Sequence, residues 1–499
     1  MPSPDPPDPP GGPVHPEGAP SPARRRRWMP AQMQRVALVA VEDSLRDALV
    51  RVADAGTVQL DEPAIDEGTA PGEAAQALQR LGVRGAPEDG DAPAKLSETR
   101  PDLQAWERDG RTDLLAGEAQ LQRYAAGAVR RRDVAGLAGW CAAEQVPDLT
   151  ARLTDTGASV VPMPLPRSMD PPTLLSGGSG LRRGFAQLVQ TYGTVPYHDV
   201  DPSLWAGVVY VVMFGMMFGD VGHGLLLLGG AAMIGLGWIP RLAKLKPMWS
   251  FVAAAGLAAT VFGALYGEFF GPTGVIPVLW LAPLEEPLRL LLVALAAGAV
   301  LLGLSYTFGA VNRWREGGVK LALYAPSGIA GATVFVGAGI AVAGFVTGPT
   351  ALVIAGGVVA VIGVALAVVG LYAEAGGGGS AVLQAAIGGF DLVVRLGSNV
   401  VSFARLAAFG MTHAALGWVV WRGVQALWHN GWVGALAAVV LFVVGNAIAF
   451  ALEALVAAVQ ALRLEFYELF SRVFVGEGRA FQPWRIPVEQ VDRSETSTC

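Results

Sequence analysis

Residues 204–470 form a stretch rich in Ala, Val, Leu and Gly that is long enough to cross a membrane many times. One transmembrane helix needs about 20 apolar residues. Only 16% of the chain is charged, against about 25% in soluble domains, and the charges concentrate in residues 1–200. We therefore predict a mixed fold, with N-terminal α/β lobes followed by an all-α membrane domain.

The N-terminal part divides by composition. Residues 1–32 are Pro-rich and lack the apolar core of a signal peptide, which predicts a disordered tail, with Met29 and Met33 as alternative starts. Residues 33–200 are expected to form the soluble domain. Its pattern predicts a strand, helix and strand over 33–60, helical hairpin arms over 70–135 with a break at 85–93, a helix and strand over 138–160, and a linker with a short helix over 171–202.

Polar breaks divide the membrane domain, residues 201–472, into about eight helices. GDVGHG (219–224) splits the first apolar run, 204–238, into two. The following helices are predicted at 249–270, 288–311, 326–347 and 350–373, and two long tilted ones at 385–428 and 432–470. Residues 473–499 are expected to be a cytoplasmic tail. The glycine run 376–379 is expected to be a turn, because no Lys-Ser/Thr follows to make a phosphate loop.

Loop charges favour eight helices over seven. The loops 239–248 and 312–325 and the tail after 470 are basic, whereas the loop 271–287 has no basic residue. With eight helices, all basic stretches lie on the same side as the N-terminal domain, which the positive-inside rule makes cytoplasmic. A single helix over 204–238 would instead put that domain outside.

Charged residues in the last two long segments are the candidate functional residues. Arg405 and His413 lie inside the apolar segment 385–428. Asp391 precedes Arg405 by 14 residues, which places both within about 40° of one helix face and about 21 Å apart along the axis. A charge at the centre of a membrane helix is costly and usually faces protein or water.

The last segment carries a matching set. Gln460 and Arg463 are three residues apart and so share a face, and Glu453 lies on a similar side. Two adjacent antiparallel helices can bring Arg405 and Arg463 into one polar stripe. Because Arg stays protonated while carboxylates and His exchange protons, such a stripe would divide a proton path into two halves.

The alternative is that these charges lie near helix ends and extend to the membrane surface. This interpretation is open for Arg395, Glu465 and Glu468, and for Arg463, after which the segment turns polar. Apolar sequence extends on both sides of Arg405, which favours an interior position for that residue.

Several motifs resemble one family. SNVVSFARLAAFGMTH (398–413) and QALRLEFYELFSRVFVGEGRAFQPW (460–484) resemble the last two helices of the membrane-embedded stator subunit of rotary vacuolar/archaeal-type (V/A-type) ATPases, called subunit a or subunit I. The stretch from Val200 to Gly229 with FGDVGHG, YGEFFG (266–271) and PYHDVDP (196–202) also resemble that family. The resemblance covers nearly all of 33–485.

The resemblance implies roles by position. Arg405 would be the stator arginine facing the rotor, with Arg463 as its partner and Gln460 beside it. The implied proton-path residues are Asp391, His413 and Glu453. Position 391 is Asp where the family has Glu, which shortens its reach, and Glu465 stands where His is common and receives no role. The N-terminal domain is also shorter than usual, which implies shorter arms.

Two further motifs leave alternatives open. The glycines of GDVGHG can permit a tight helix break, with Asp220 and His223 capping helix ends, or the two polar residues can handle protons. Glu268 in YGEFFG can line an outer water cavity, cap the end of its helix or extend to the membrane surface.

The resemblance implies a proton-translocating stator subunit that is not an enzyme by itself, with ATP turnover in other subunits. Its implied partners are a proteolipid rotor ring, peripheral-stalk subunits, a central-stalk socket subunit and membrane lipid. No nucleic acid, cofactor or metal is expected, and no GxxxxGK[ST] motif is present. The Ala/Arg-rich, Lys-poor composition indicates a bacterial plasma membrane, with both termini cytoplasmic. The alternatives are a secondary transporter of an anionic substrate, for which no internal repeat is evident, and a non-conducting structural anchor.

Overall fold

The computed structural model describes residues 29–63, 71–82, 94–165, 169–175, 180–238, 245–473 and 478–489. Most of the expected disordered tail, the break at 85–93 and part of the basic loop 239–248 lie outside the described residues.

The N-terminal domain is an antiparallel sheet covered by short helices. The strands of this sheet are β1 Met33–Val41, β2 Val58–Leu60, β4 Val129–Arg131, β5 Val134–Ala142 and β6 Ala158–Pro162, while β3 Leu96–Ser97 lies outside it. Its helices are α1 Leu45–Ala55, α2 Glu73–Arg80, α3 Leu103–Arg108, α4 Thr112–Ala126 and α5 Val146–Leu153, followed by α6 Gly180–Tyr192 in the linker. The sheet order is β2-β5-β1-β6, with β4 paired to β5.

The strand–helix–strand prediction for 33–60 is confirmed. β1 alternates buried and half-buried residues, as a strand with one face on a core should, and it pairs with β5 from Met33–Ala142 to Val41–Val134. The predicted helical hairpin is present in short form. α2 packs on α4 through small residues such as Ala74 and Ala77, and the longest described helix in this region has 15 residues.

The membrane domain follows the predicted order of helices. These are α7 Ser203–Met217, α8 Val221–Leu236, α9 Trp249–Tyr266, α10 Pro287–Tyr324, α11 Ile329–Thr347, α12 Thr350–Glu374, α13 Gly379–Ser402, α14 Ala404–Trp428 and α15 Gly431–Leu464. A π-helical turn, Glu465–Phe470, and a short α16, Ser471–Val473, continue α15. The predicted glycine turn joins α12 to α13.

Six of these segments are long and apolar enough to cross a membrane, with α13 and α14 forming one segment of 50 residues. α7 and α8 have only 15 and 16 residues, fewer than the roughly 20 that a perpendicular crossing needs. Eight crossings therefore stay a prediction, while the membrane class and a minimum of six candidate spans are established.

The C-terminal segment returns to the N-terminal domain. β7, Val488–Glu489, pairs in parallel with β3, and the Trp484 backbone N–H donates to Val58 O at 2.8 Å. The Trp484 ring packs 4.9 Å from the Tyr124 ring. Since this segment and the N-terminal domain form one body, an even number of membrane crossings separates them.

Candidate functional site

Arg405 forms an ion pair with a carboxylate from the last membrane segment. Its Nη2 donates to Glu468 Oε1 at 2.6 Å, and its Nε donates to Ser402 O at 3.1 Å, across the break between α13 and α14. The Arg405 side chain is 23% exposed and that of Glu468 is 8% exposed. Arg405 is therefore interior, as its sequence context predicted, but one edge of the guanidinium stays accessible.

The π-helical turn explains why Glu468 reaches Arg405. A π-helical turn contains an extra residue, so the side chains after Leu464 are rotated relative to the face of α15. Glu465 and Glu468 become buried while Tyr467 is 71% exposed. The interpretation that Glu465 and Glu468 extend to the membrane surface is therefore wrong. Neither carboxylate oxygen of Glu465 has a hydrogen-bond partner among the described residues.

Arg463 does not join the Arg405 ion pair. It lies on an exposed face of α15 with Leu455 and Val459, and no hydrogen bond or ion pair of its side chain occurs within the described part of the chain. Gln460, one turn earlier, is half-buried. Ion pairs within this chain thus do not link the two arginines of the predicted stripe.

Asp391 lies on α13, before the helix break. Its carboxylate is 2.6 Å from Nε of Arg395, one turn along, and the two side chains are 49% and 68% exposed. The exposed position of Arg395 agrees with the surface interpretation. Asp391 is more open to its surroundings than the other acidic candidates.

A second polar group, which we call the histidine cluster, comprises Asp220, His223, Glu268, His413 and Glu453. His413 Nδ1 is hydrogen-bonded to Glu453 from α15. Its Nε2 lies 4.0 Å from Glu268 Oε2. Glu268 is the second residue after the end of α9 and is 2% exposed, so extension to the membrane surface is excluded and its carboxylate faces His413.

Asp220 and His223 complete the cluster from the break between α7 and α8. Asp220 caps α8, because its Oδ1 accepts the His223 backbone N–H at 2.9 Å, while its Oδ2 accepts from Gly271 N at 2.7 Å. The capping interpretation is thus confirmed for Asp220. The His223 side chain is not a cap: its ring lies 5.5 Å from the His413 ring.

Aromatic rings enclose the histidine cluster. Phe218 lies 4.9 Å from the His413 ring, and Phe270 lies edge-on 5.2 Å from the His223 ring. Phe270 adopts φ +51°, an uncommon conformation for a residue with a side chain. The turn it makes presents the Gly271 N–H to Asp220. A Cβ on Gly271 would lie 2.7 Å from the Gly417 carbonyl carbon, so glycine is needed there.

The Arg405–Glu468 pair and the histidine cluster lie at different depths in the membrane domain. His413 follows Arg405 by eight residues on α14, a rise of about 12 Å. Since α15 returns to the N-terminal domain, Arg405 and Glu468 lie on the side nearer that domain and the histidine cluster on the far side. The positions of Asp220 and Glu268 agree with this assignment, because each residue follows a helix that runs away from the N-terminal domain.

Sequence reasoning missed Asp199, outside the membrane segments. It is fully buried where the linker packs on α10, and Val200 N there donates to Asn312 Oδ1 at 3.0 Å. Burial, together with the neighbouring Glu316 carboxyl, raises the pKa of Asp199 to about 8. Its place in the PYHDVDP motif was the available signal.

The fold and these sites define a multi-pass membrane protein whose long apolar helices carry buried ionisable residues. The model of the V-type ATPase 116 kDa subunit family matches residues 128–270, which include Asp220, His223 and Glu268. This part of the chain is similar to that family.

Similar proteins are described as A-type ATP synthase subunit I. That of Pyrococcus horikoshii is 28% identical over 312 residues, covering 60% of this chain and 45% of that protein. That of Aeropyrum pernix is 26% identical over 379 residues, covering 65% and 52%. That of Archaeoglobus fulgidus is 33% identical over 139 residues, covering 27% and 19%. The chain thus spans about half the length of the first two relatives. All three are archaeal, so they give no support to the expected bacterial host.

Proposed function

We propose that this chain is the membrane stator subunit of a rotary V/A-type ATPase and couples proton passage to rotation. The match of residues 128–270 to the V-type ATPase 116 kDa subunit family and the description of similar proteins as A-type ATP synthase subunit I support this proposal. The observation that carries it is the Arg405–Glu468 pair, a permanently charged group held inside the membrane domain with one accessible edge.

Arg405 acts as the fixed charge between two half-channels. A carboxylate on a rotor ring that arrives beside Arg405 exchanges with Glu468 as the partner of the guanidinium and gives up its proton. The positive charge also repels protons, which prevents direct leakage from one half-channel to the other.

The exposed position of Arg463 favours contact between this face of α15 and a second protein. It is an exposed guanidinium between apolar side chains such as Val459 and Leu455. A charge in contact with lipid is costly, so a second protein with a carboxylate is the favourable neighbour. The proposed neighbour is the proteolipid ring, and Gln460 lies beside the contact.

We assign the two half-channels by the depth at which their candidate residues lie in the membrane domain. The histidine cluster forms the far half-channel, where His413, Glu453 and Glu268 pass protons. Asp391, half-exposed on the side of the N-terminal domain, serves the near half-channel. We assign the N-terminal domain and the C-terminal tail to the cytoplasm, where they meet peripheral-stalk and central-stalk subunits, and we assign ATP turnover to other subunits.

The test is ATP-driven acidification of vesicles that contain the whole complex. Arg405→Ala should reduce pumping to background at wild-type assembly, because the neutral side chain can no longer displace the proton from the rotor. Arg422→Ala is the matched control and should pump normally, since this exposed arginine on the same helix lies over the Trp418 ring and makes no ion pair among the described residues. Pumping by Arg405→Ala would exclude the stator mechanism and favour a structural anchor.

A further inference from the structure

We infer that Asp220, His223 and His413 form a binding site for a divalent transition-metal ion of the Zn²⁺ type. One ligand atom from each side chain lies within 4.8 Å of the other two. His223 Nδ1 is 3.7 Å from Asp220 Oδ1. Two ligands of a tetrahedral zinc ion are about 3.4 Å apart for bonds of about 2.1 Å, so small side-chain rotations bring all three into coordination range.

Three ring nitrogens of the site are poorly satisfied, with the Asn446 side chain as a polar neighbour of His223. Both ring nitrogens of His223 and Nε2 of His413 are buried and make no hydrogen bond with the described residues. An unpaired buried polar group costs about 1–3 kcal/mol. Three such nitrogens in one place favour a ligand that accepts their lone pairs, and a metal ion can bind two of them at once.

The surroundings orient the ligands as in metal sites. Glu453 is hydrogen-bonded to His413 Nδ1. In the neutral tautomer with the proton on Nδ1, the Nε2 lone pair can bind a metal, and carboxylates commonly hold zinc-binding histidines in this way. Two backbone N–H groups fix the Asp220 carboxylate. Glu268, whose Oε2 is 4.0 Å from His413 Nε2, is the nearest candidate for the fourth position.

The donor set selects the class of ion. Two imidazoles with one or two carboxylates suit Zn²⁺ and similar transition metals, whereas Mg²⁺ and Ca²⁺ prefer oxygen ligands alone. Charge also fits, because a divalent cation balances Asp220 and Glu268 in a buried position. The sequence shows no metal motif, because His413 lies 190 residues from His223.

The consequence for transport rests on the proposed function. A metal ion on His413 Nε2 occupies the lone pair that would accept a proton, so it would close the far half-channel. Metal binding itself does not depend on that function, so the two ideas can fail separately.

The experiment titrates the chelator-stripped complex with Zn²⁺, measuring affinity by calorimetry and bound metal by mass spectrometry. Wild type should bind Zn²⁺ at this site, one ion per chain. His223→Gln should weaken binding at least as much as the 10–100-fold expected for loss of an outer-shell group. His223→Cys, which supplies another zinc ligand, should restore binding. His429→Gln, which removes an exposed histidine, is the matched control and should bind as wild type does.

Equal binding by wild type and His223→Gln would overturn the site, as would loss of binding in His429→Gln alone. If His223→Gln fails to assemble, the wild-type and His223→Cys complexes decide: absence of Zn²⁺ binding in both refutes the inference. Vesicle pumping gives the separate answer. Binding without inhibition by Zn²⁺ would retain the metal site and reject His413 as a proton carrier.

Discussion

The Arg405 pair and the histidine cluster use charge in opposite ways. The Arg405 pair joins one permanent cation to one carboxylate and keeps an accessible edge. The histidine cluster is closed by aromatic rings and contains only groups that can gain or lose protons. Both are held between α14 and α15, about 12 Å apart along α14.

The difference shows how two helices can carry two functions. A guanidinium needs no proton exchange, so the Arg405 pair only has to present a charge to a neighbour. In the proposed function a proton carrier must change state, and the histidine cluster holds several titratable side chains within hydrogen-bond or near-contact distance. If the proposed function is correct, sealing the cluster from lipid leaves proton transfer to those side chains.

The largest effect expected within this comparison concerns His413. His413→Gln should lower ATP-driven proton pumping by about 100-fold, the size typical of losing a positioned acid–base group. Thr412→Ala, on the exposed face of the same turn, should change pumping little. Full pumping by His413→Gln would mean that the histidine cluster is a packing element, unlike the Arg405 pair.

The second effect concerns stability rather than transport. Glu468→Gln should lower the free energy of unfolding by about 2 kcal/mol, because it removes the negative charge beside a partly buried guanidinium. Denaturant unfolding in detergent would measure the change. Glu465→Gln is the control, since that buried carboxylate has no partner among the described residues, and it should leave stability equal or higher. Destabilisation by both would show that the pair has no special role.

A third buried acid, Asp199, extends the comparison beyond the membrane. Its pKa is raised from the ordinary 3.8 to about 8, so the folded protein binds its proton more tightly than the unfolded chain does. The stabilisation is complete below pH 4 and is lost as the pH rises towards and through 8. Asp199→Asn should therefore raise the melting temperature at pH 8 and leave it almost unchanged near pH 4. Equal shifts at both values would contradict a protonated Asp199.

The smallest effect should come from the exposed pair Asp391–Arg395. Arg395→Gln should change the free energy of unfolding by less than about 0.5 kcal/mol, since exposed i,i+4 pairs contribute little. The same unfolding assay applies. A loss as large as that of Glu468→Gln would show that this pair is shielded in the complex.

Sequence patterns predicted much of this architecture, for physical reasons. Apolar runs and polar breaks located the membrane helices, and the β-branched, apolar residues VALVAV (36–41) located β1. The candidate residues Arg405, His413 and Glu453 stood out because charge is rare in such segments.

Other features depend on distant contacts or on a changed helix period. Regular 3.6-residue spacing cannot show that a π-helical turn directs Glu468 to Arg405. The histidine cluster joins four separate stretches of chain, and the turn at Phe270 and Gly271 helps to hold Asp220 in place beside His413. The return of β7 to β3 involves two residues per strand, too few to leave a pattern.

That return has a mechanical consequence. The linker is tied to α10 through Val200 and Asn312, and Asn312 Nδ2 also donates to Val473 O at 2.8 Å, at the end of the last membrane segment. A further tie runs through Trp484 and β7 into the sheet of the N-terminal domain. A sideways load on α15 therefore reaches that domain along two routes in parallel. These two connections close a loop between α15 and the N-terminal domain, and a closed loop resists twisting better than a single connection does.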